Sequence, residues 1–121
     1  MDLKFESGLS QMAIDDHIRM AIEAEGEKAR KEHGAFFSSH HEAWAVLMEE
    51  MEEMCDETER LIIGVDELWL KVKLNGDPEL TLVRMKSVAN RLIQESIQVA
   101  AMIDKYSRTN DLFNRAAEAE K

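Results

Sequence analysis

The run from His41 to Met54 is the stretch that most restricts what this chain can fold into. Its apolar residues and their continuation (Trp44, Leu47, Met48, Met51, Met54 and Cys55) recur at the spacing of one helix face. At roughly 100° per residue they share an arc, with Glu50 at its edge and Glu53 one step beyond. Residues three apart on a helix are neighbours, so Glu50 and Glu53 converge beside the apolar side. Two carboxylates held in that way repel each other unless a cation lies between them. Hard oxygen ligands of this kind suit Mg²⁺, or Mn²⁺ as the alternative. A second strip, from Glu95 to Met102, offers the other half of such a site.

The flanking sequence supplies the helices that this arrangement needs. One proline and five glycines leave few breaks, and no strand-like alternation competes. Residues 1–11 lack sustained periodicity and read as a loose arm. Helix 1 is expected from Met12 to Glu32, with Ile14, Ile18, Ala21, Ile22, Glu25 and Ala29 along one side. Gly34 is its left-handed stop. Ser38 or Ser39 caps helix 2, and Glu42 stands three residues after Ser39, the spacing of a capping box. Helix 2 is expected to reach about Leu74, with Gly64 as the cheapest place for a kink. Asn75-Gly76 signals a turn, and Asp77-Pro78 a new helix start. Helix 3 is expected from Pro78 to about Tyr106, with Leu82, Met85, Val88, Ala89, Leu92, Val99, Ala100 and Ile103 inward. Thr109 to Ala119 reads as a short fourth helix. The expected fold class is therefore all-α, an antiparallel helical bundle of three long helices and a short C-terminal one, over residues 12–119.

Composition narrows the function classes. At 121 residues the chain is one domain. Its formal net charge of −10, with no basic stripe, argues against a nucleic-acid partner. No apolar run approaches a membrane span and the N-terminus lacks a signal-peptide pattern, so a cytoplasmic protein is expected. The single cysteine, Cys55, lies in the apolar arc and reads as a buried small hydrophobe in a reducing compartment. His40 and His41 lack the Cys/His partner set that a zinc site requires.

Glu49-Glu50-x-x-Glu53, followed on the next helix by Glu95-x-x-Gln98, resembles the MazG-like all-α nucleoside triphosphate pyrophosphohydrolases. Their motif is Glu-x-x-Glu, a spacer, then Glu-x-x-Asp. The string is most similar to a phage-associated MazG-like branch, through Lys31-x-His33-Gly34, the run from Ser39 to Glu50, and Ile93 to Met102. The resemblance covers about Ile14 to Tyr106. It implies that Glu50 and Glu53 are the first metal-binding pair and Glu95 the third carboxylate. Gln98 stands where the motif has its aspartate, and the spacer of 41 residues between Glu53 and Glu95 is longer than the family's usual one. The implied reaction is Mg²⁺-dependent attack of water on the α–β linkage of a nucleoside triphosphate, giving a monophosphate and pyrophosphate. A house-cleaning role in the nucleotide pool goes with it.

Glu49 is the candidate to take the proton from that water. Lys31, Trp44 and Arg91 are candidates for substrate contact. A homodimer or dimer of dimers through helices 2 and 3 is expected, because helix 2 carries its apolar surface on through Leu61, Ile62, Val65, Leu68 and Trp69. Two other readings compete. One is a MazG-fold protein that has lost turnover through Gln98 and only binds a nucleotide or partner. The other is an acidic helical interaction module whose carboxylates are a solvated face.

Overall fold

The computed structural model describes residues 3–120, with side chains described from residue 13 onward. It contains three helices, α1 (Leu3–His33), α2 (His40–Lys73) and α3 (Glu79–Ala119), and no strand among the described residues. The all-α expectation holds, and two boundaries differ from it. The backbone is helical from Leu3, where the sequence predicts a loose arm over residues 1–11; the first two residues of that arm lie outside the described residues. Gly8 and the serines lower helix propensity there, but extending a helix already nucleated costs little per residue. There is also no separate fourth helix, because α3 runs unbroken for 41 residues. Thr109, at the expected break, is fully buried, and its hydroxyl donates to the Lys105 carbonyl oxygen at 2.8 Å. The Thr109 hydroxyl oxygen in turn accepts the Phe37 backbone N–H at 3.0 Å. That tie to the α1–α2 loop overrides the weak local propensity of the Ser-Arg-Thr-Asn run.

The helix ends follow the chemistry of their caps. Gly34 has φ of +87° and its N–H reaches the Arg30 carbonyl oxygen at 2.9 Å, a left-handed stop that a side chain would strain. Ser39 is the cap of α2, its hydroxyl accepting from the Glu42 N–H at 3.0 Å. The Glu42 carboxylate turns back onto the N–H and hydroxyl of Ser38, one residue earlier than a standard capping box. These hydrogen bonds hold the Glu42 carboxyl below its ordinary pKa. Asn75, at φ of 53°, and Gly76 make the turn into α3, where Asp77 Oδ1 accepts the Glu79 N–H at 3.0 Å.

α2 and α3 share the main seam. On α2 it is Ala43, Leu47, Glu50, Met54, Glu57, Leu61, Gly64 and Leu68; on α3, Thr81, Met85, Val88, Leu92, Glu95, Val99, Met102, Tyr106 and Thr109. Every one is buried or half-buried, and the steps alternate between four and three, the repeat of knobs-into-holes packing. Partners pair with falling numbers on α3 as they rise on α2: His40 with Tyr106, Glu50 with Gln98, Glu57 with Arg91, Glu67 with Arg84. α2 runs through Gly64 without interruption. A Cβ there would lie 2.6 Å from Met85 Cγ, so the glycine admits the Met85 side chain against the α2 backbone.

Among the described residues α1 packs on α3, and its backbone does not approach that of α2. Ile22, Gly26 and Ala29 of α1 lie beside Ala101, Met102 and Asp104 of α3. The buried apolar residues Ala29, Phe37, Ala43, Val99 and Ala101 gather at this end, where three helices and a loop meet.

A second stripe on α2, one residue further round, stays outside this packing. It comprises Trp44, Met48, Met51, Cys55, Thr58, Ile62, Val65, Trp69 and Val72, again in steps of four and three. Trp44 is 63% exposed and Trp69 59%, and Cys55 is exposed rather than buried as its arc suggests. Leu82 and Ile103, expected in the core of helix 3, are also exposed, as are Ile14 and Ile18 of α1. The reason is geometric. Two helices cover one stripe of each other, and among the described residues no third helix lies against the outer side of α2. No helix among the described residues is long and apolar enough to cross a membrane.

Candidate metal centre

At the middle of the α2–α3 seam the repeat admits carboxylates in place of apolar side chains. Glu50 and Glu53 stand one turn apart on α2, and Glu95 meets them from α3. One carboxylate oxygen from each lies within 4.8 Å of the other two. Glu50 and Glu95 are half-buried and Glu53 is exposed, so the cluster opens on one side. Burial is the first cause that raises the Glu50 carboxyl above its ordinary pKa, followed by the charges of Glu53, Glu95, Glu49 and Glu25. Glu95 is raised too, first by burial and then by a hydrogen bond to Glu53. Such a bond between two carboxyls needs a proton, and a divalent cation would do the same work of screening.

Gln98 completes the cluster from α3. With its amide nitrogen turned towards them, it donates to Glu50 Oε2 at 2.9 Å and to Glu95 Oε2 at 3.1 Å. An aspartate could not make either bond, since an ionised carboxylate only accepts. The neutral amide therefore relieves part of the repulsion that a fourth carboxylate would add. Turned over, the same side chain presents its oxygen to the same point.

A groove of about 660 Å³ opens beside the cluster, between α1 and α2 and floored by α3. Glu50 and Gln98 form one end of its lining, with Glu49 next to them. Phe37, Val46 and Met102 give it an apolar patch, and Lys28 and Lys105 bring positive charge. Lys105 is fixed with its Nζ 4.3 Å above the Phe37 ring.

The other sequence candidates fall in different places. Lys31 pairs with Glu27 at 3.2 Å on the exposed side of α1 and does not line the groove; Lys28, one turn earlier, does. Trp44 lies on the outer stripe of α2, roughly 200° round the helix from the groove-lining stripe of Glu42, Val46 and Glu49. Arg91 is held by Glu57, its Nε 3.2 and 3.3 Å from the two carboxylate oxygens, and its Nη1 donates to Ser87 Oγ at 3.1 Å.

Two residues of the neighbourhood escape the motif. Glu57, only 8% exposed, continues the Glu50–Glu53 side one turn further and also pairs with Arg60 at 2.6 Å. Glu25 reaches the cluster from α1, its charge acting on both Glu50 and Glu95. The signal for Glu25 was present: a glutamate on the otherwise apolar side of helix 1 needs a reason to face inward. No family model, curated protein or solved structure matches the chain.

Proposed function

We propose that this chain is a divalent-metal-dependent nucleoside triphosphate pyrophosphohydrolase of the MazG-like type, built as an antiparallel bundle and working in the cytoplasm as a homodimer or dimer of dimers. The observation that carries the reading is the convergence of Glu50, Glu53 and Glu95 beside an apolar-floored groove. The donor set fits Mg²⁺, with Mn²⁺ the alternative: three carboxylates and an amide, all oxygen ligands once Gln98 turns over. A cation bound there would neutralise phosphate charge and lower the pKa of its water.

The rest of the chemistry falls to the chain's own side chains. Glu50, Glu53 and Glu95 would hold the cation, which would supply charge neutralisation at the triphosphate end of the substrate. Glu49, exposed beside Glu50 at the groove wall, takes the proton as water attacks the α–β linkage. Phe37, Val46 and Met102 receive the nucleoside, while Lys28 and Lys105 balance phosphate charge. Arg91, anchored by Glu57, positions the seam around Glu95 rather than reaching the groove. The products are a nucleoside monophosphate and pyrophosphate, as suits a nucleotide-pool enzyme.

A second reading is favoured by one observation. The Gln98 amide occupies lone pairs of Glu50 and Glu95 that a cation would use, which suits a MazG-fold protein that binds a nucleotide without turning it over. Pyrophosphate release from a panel of canonical and modified nucleoside triphosphates, with Mg²⁺ and with Mn²⁺, decides between them. Release with at least one nucleotide is expected, falling at least about tenfold in Glu53→Gln. Nucleotide binding without release supports the second reading, and neither binding nor release leaves an acidic interaction module.

A further inference from the structure

We propose that Lys105 reads the base of the substrate, selecting nucleoside triphosphates whose base carries an oxo group where adenine and cytosine carry an amine. The proposal rests on the nucleotide reading above and names the substrate class of the same groove. The groove has two unlike ends. Glu50 and Gln98 lie at one. Phe37, Glu42 and Lys105 lie at the other, with Lys105 seven residues beyond Gln98 on α3 and Glu42 eight before Glu50 on α2. At ~1.5 Å per residue the two ends are about 10–12 Å apart along either helix. That is close to the reach of a nucleoside from its 5′-phosphate to the far edge of its base. With the phosphates at the carboxylates, the base edge arrives at Lys105.

A lysine is ordinarily a poor reader, because fixing its long side chain costs much rotamer freedom. Lys105 is held already. Its Nζ stands 4.3 Å above the Phe37 ring, which attracts the cation through its quadrupole, and Phe37 is only 4% exposed. Phe37 is fixed in turn: its N–H donates to Thr109 Oγ1 at 3.0 Å, and its ring meets Tyr106 edge-on with centroids 6.3 Å apart. Among the described residues no side-chain or backbone oxygen takes a hydrogen bond from the Lys105 ammonium. The Glu42 carboxylate is occupied instead by the hydroxyl and N–H of Ser38, which hold it ionised ahead of the weaker pull of the Lys105 charge. This end of the groove therefore holds a positioned cation whose donors are unspent.

An ammonium donates hydrogen bonds and cannot accept them. Guanine O6 and N7, and O4 of thymine or uracil, accept from it, whereas adenine N6 and cytosine N4 present N–H donors to a cation. The carboxylates at this end do not reverse the choice, because Glu42 is taken up by Ser38 and Glu32 has His33 Nε2 at 3.7 Å. Val46 and Met102 line the groove between its two ends, and apolar side chains of this kind accept any base. A donor matched to the base edge gives about fivefold to a hundredfold discrimination.

Two pairs of nucleotides isolate the group that Lys105 reads: ITP with ATP, and UTP with CTP, each pair exchanging an oxo group for an amine. Pyrophosphate release by the full-length chain with Mg²⁺ should give the oxo member of each pair the higher kcat/KM, by about fivefold to a hundredfold. In Lys105→Met, which keeps an alkyl stem over Phe37, both ratios should fall to near one. Lys105→Gln, whose amide accepts as well as donates, should narrow them too, with circular dichroism confirming the fold of each variant. Loss of the lysine's charge alone lowers all four nucleotides together, so the ratios separate base reading from phosphate balance. Equal kcat/KM within each pair, or ratios that survive in the folded variants, would overturn the proposal and leave the hydrolase reading intact. If none of the four is hydrolysed, their equilibrium binding is measured in its place. Ratios kept in binding remove the pyrophosphohydrolase and leave base selection standing, and absence of both binding and release overturns both.

Discussion

The two ends of the α2–α3 seam solve the same packing problem with opposite materials. Towards the start of α2 the seam contains Glu50, Glu57 and Glu95, and α1 and the α1–α2 loop are packed behind it. Towards the turn it contains Gly64, Leu61, Leu68, Thr81 and Met85, and among the described residues no further element packs on it. The first end puts charge inside and shelters it with a third helix. The second packs tightly inside and leaves Ile62, Val65, Trp69 and Val72 outside. Charge in a seam costs stability, which makes its retention there a sign of chemistry. Apolar surface left outside points to a partner.

The largest expected effect comes from attacking the tight end. Gly64→Val adds a branched side chain where even a Cβ would lie 2.6 Å from Met85 Cγ. It should cost about 1–3 kcal/mol and lower the melting temperature by roughly 4–15 °C. No comparable loss on thermal denaturation would mean that this end is loose, and the contrast would fail.

At the charged end, Glu57→Ala removes the carboxylate that holds Arg60 and Arg91. Both guanidiniums are about half exposed and can rehydrate, so a loss of about 1–2 kcal/mol is expected in urea unfolding. A neutral or stabilising result would show that Glu57 is a passive surface partner.

Much of this division was legible before any coordinates. The caps at Gly34, Ser39 and Asp77 and the pairing of Glu50 with Glu53 follow from local chemistry and helical spacing, whereas Glu95 was expected to join them only through the resemblance. Other features were not. Trp44, Leu47, Met48, Met51, Met54 and Cys55 form one arc by periodicity, but they belong to two stripes about 100° apart, and only the position of α3 decides that Leu47 and Met54 turn inward. Gly64 has the same low propensity whether it serves as a kink or as a contact. The continuity of α3 depends on a hydrogen bond to Phe37, 72 positions away, which no local signal carries.

A smaller effect is expected from pH. The Glu50 and Glu95 carboxyls are raised above the ordinary 4.5 in the folded chain, so the folded state holds those protons more tightly than the unfolded state. Their contribution to stability is therefore present at low pH and lost as pH rises through the folded-state values. In chelator, the melting temperature should climb as pH falls through those raised folded-state values towards 4.5, and the Glu50→Gln/Glu95→Gln variant should show a flatter profile. Glu42, whose carboxyl is lowered, works in the opposite sense and loses its contribution at more acid pH. Equal slopes in the two proteins would assign the pH dependence to overall charge.

The central claim is that the carboxylate cluster is a metal centre weakened, not abolished, by Gln98. The most direct measurement is the melting temperature of the wild-type, Gln98→Asp and Glu53→Gln proteins, in chelator and with millimolar Mg²⁺ or Mn²⁺. Replacing the amide by a carboxylate removes two donated hydrogen bonds and adds a charge, so Gln98→Asp should melt lower than wild type in chelator. The added ligand should then give it the larger Mg²⁺-dependent rise, while Glu53→Gln should rise least. If neither cation moves the melting temperature of any of the three, Glu50, Glu53 and Glu95 are a solvated acidic face and the enzyme reading falls with the metal centre.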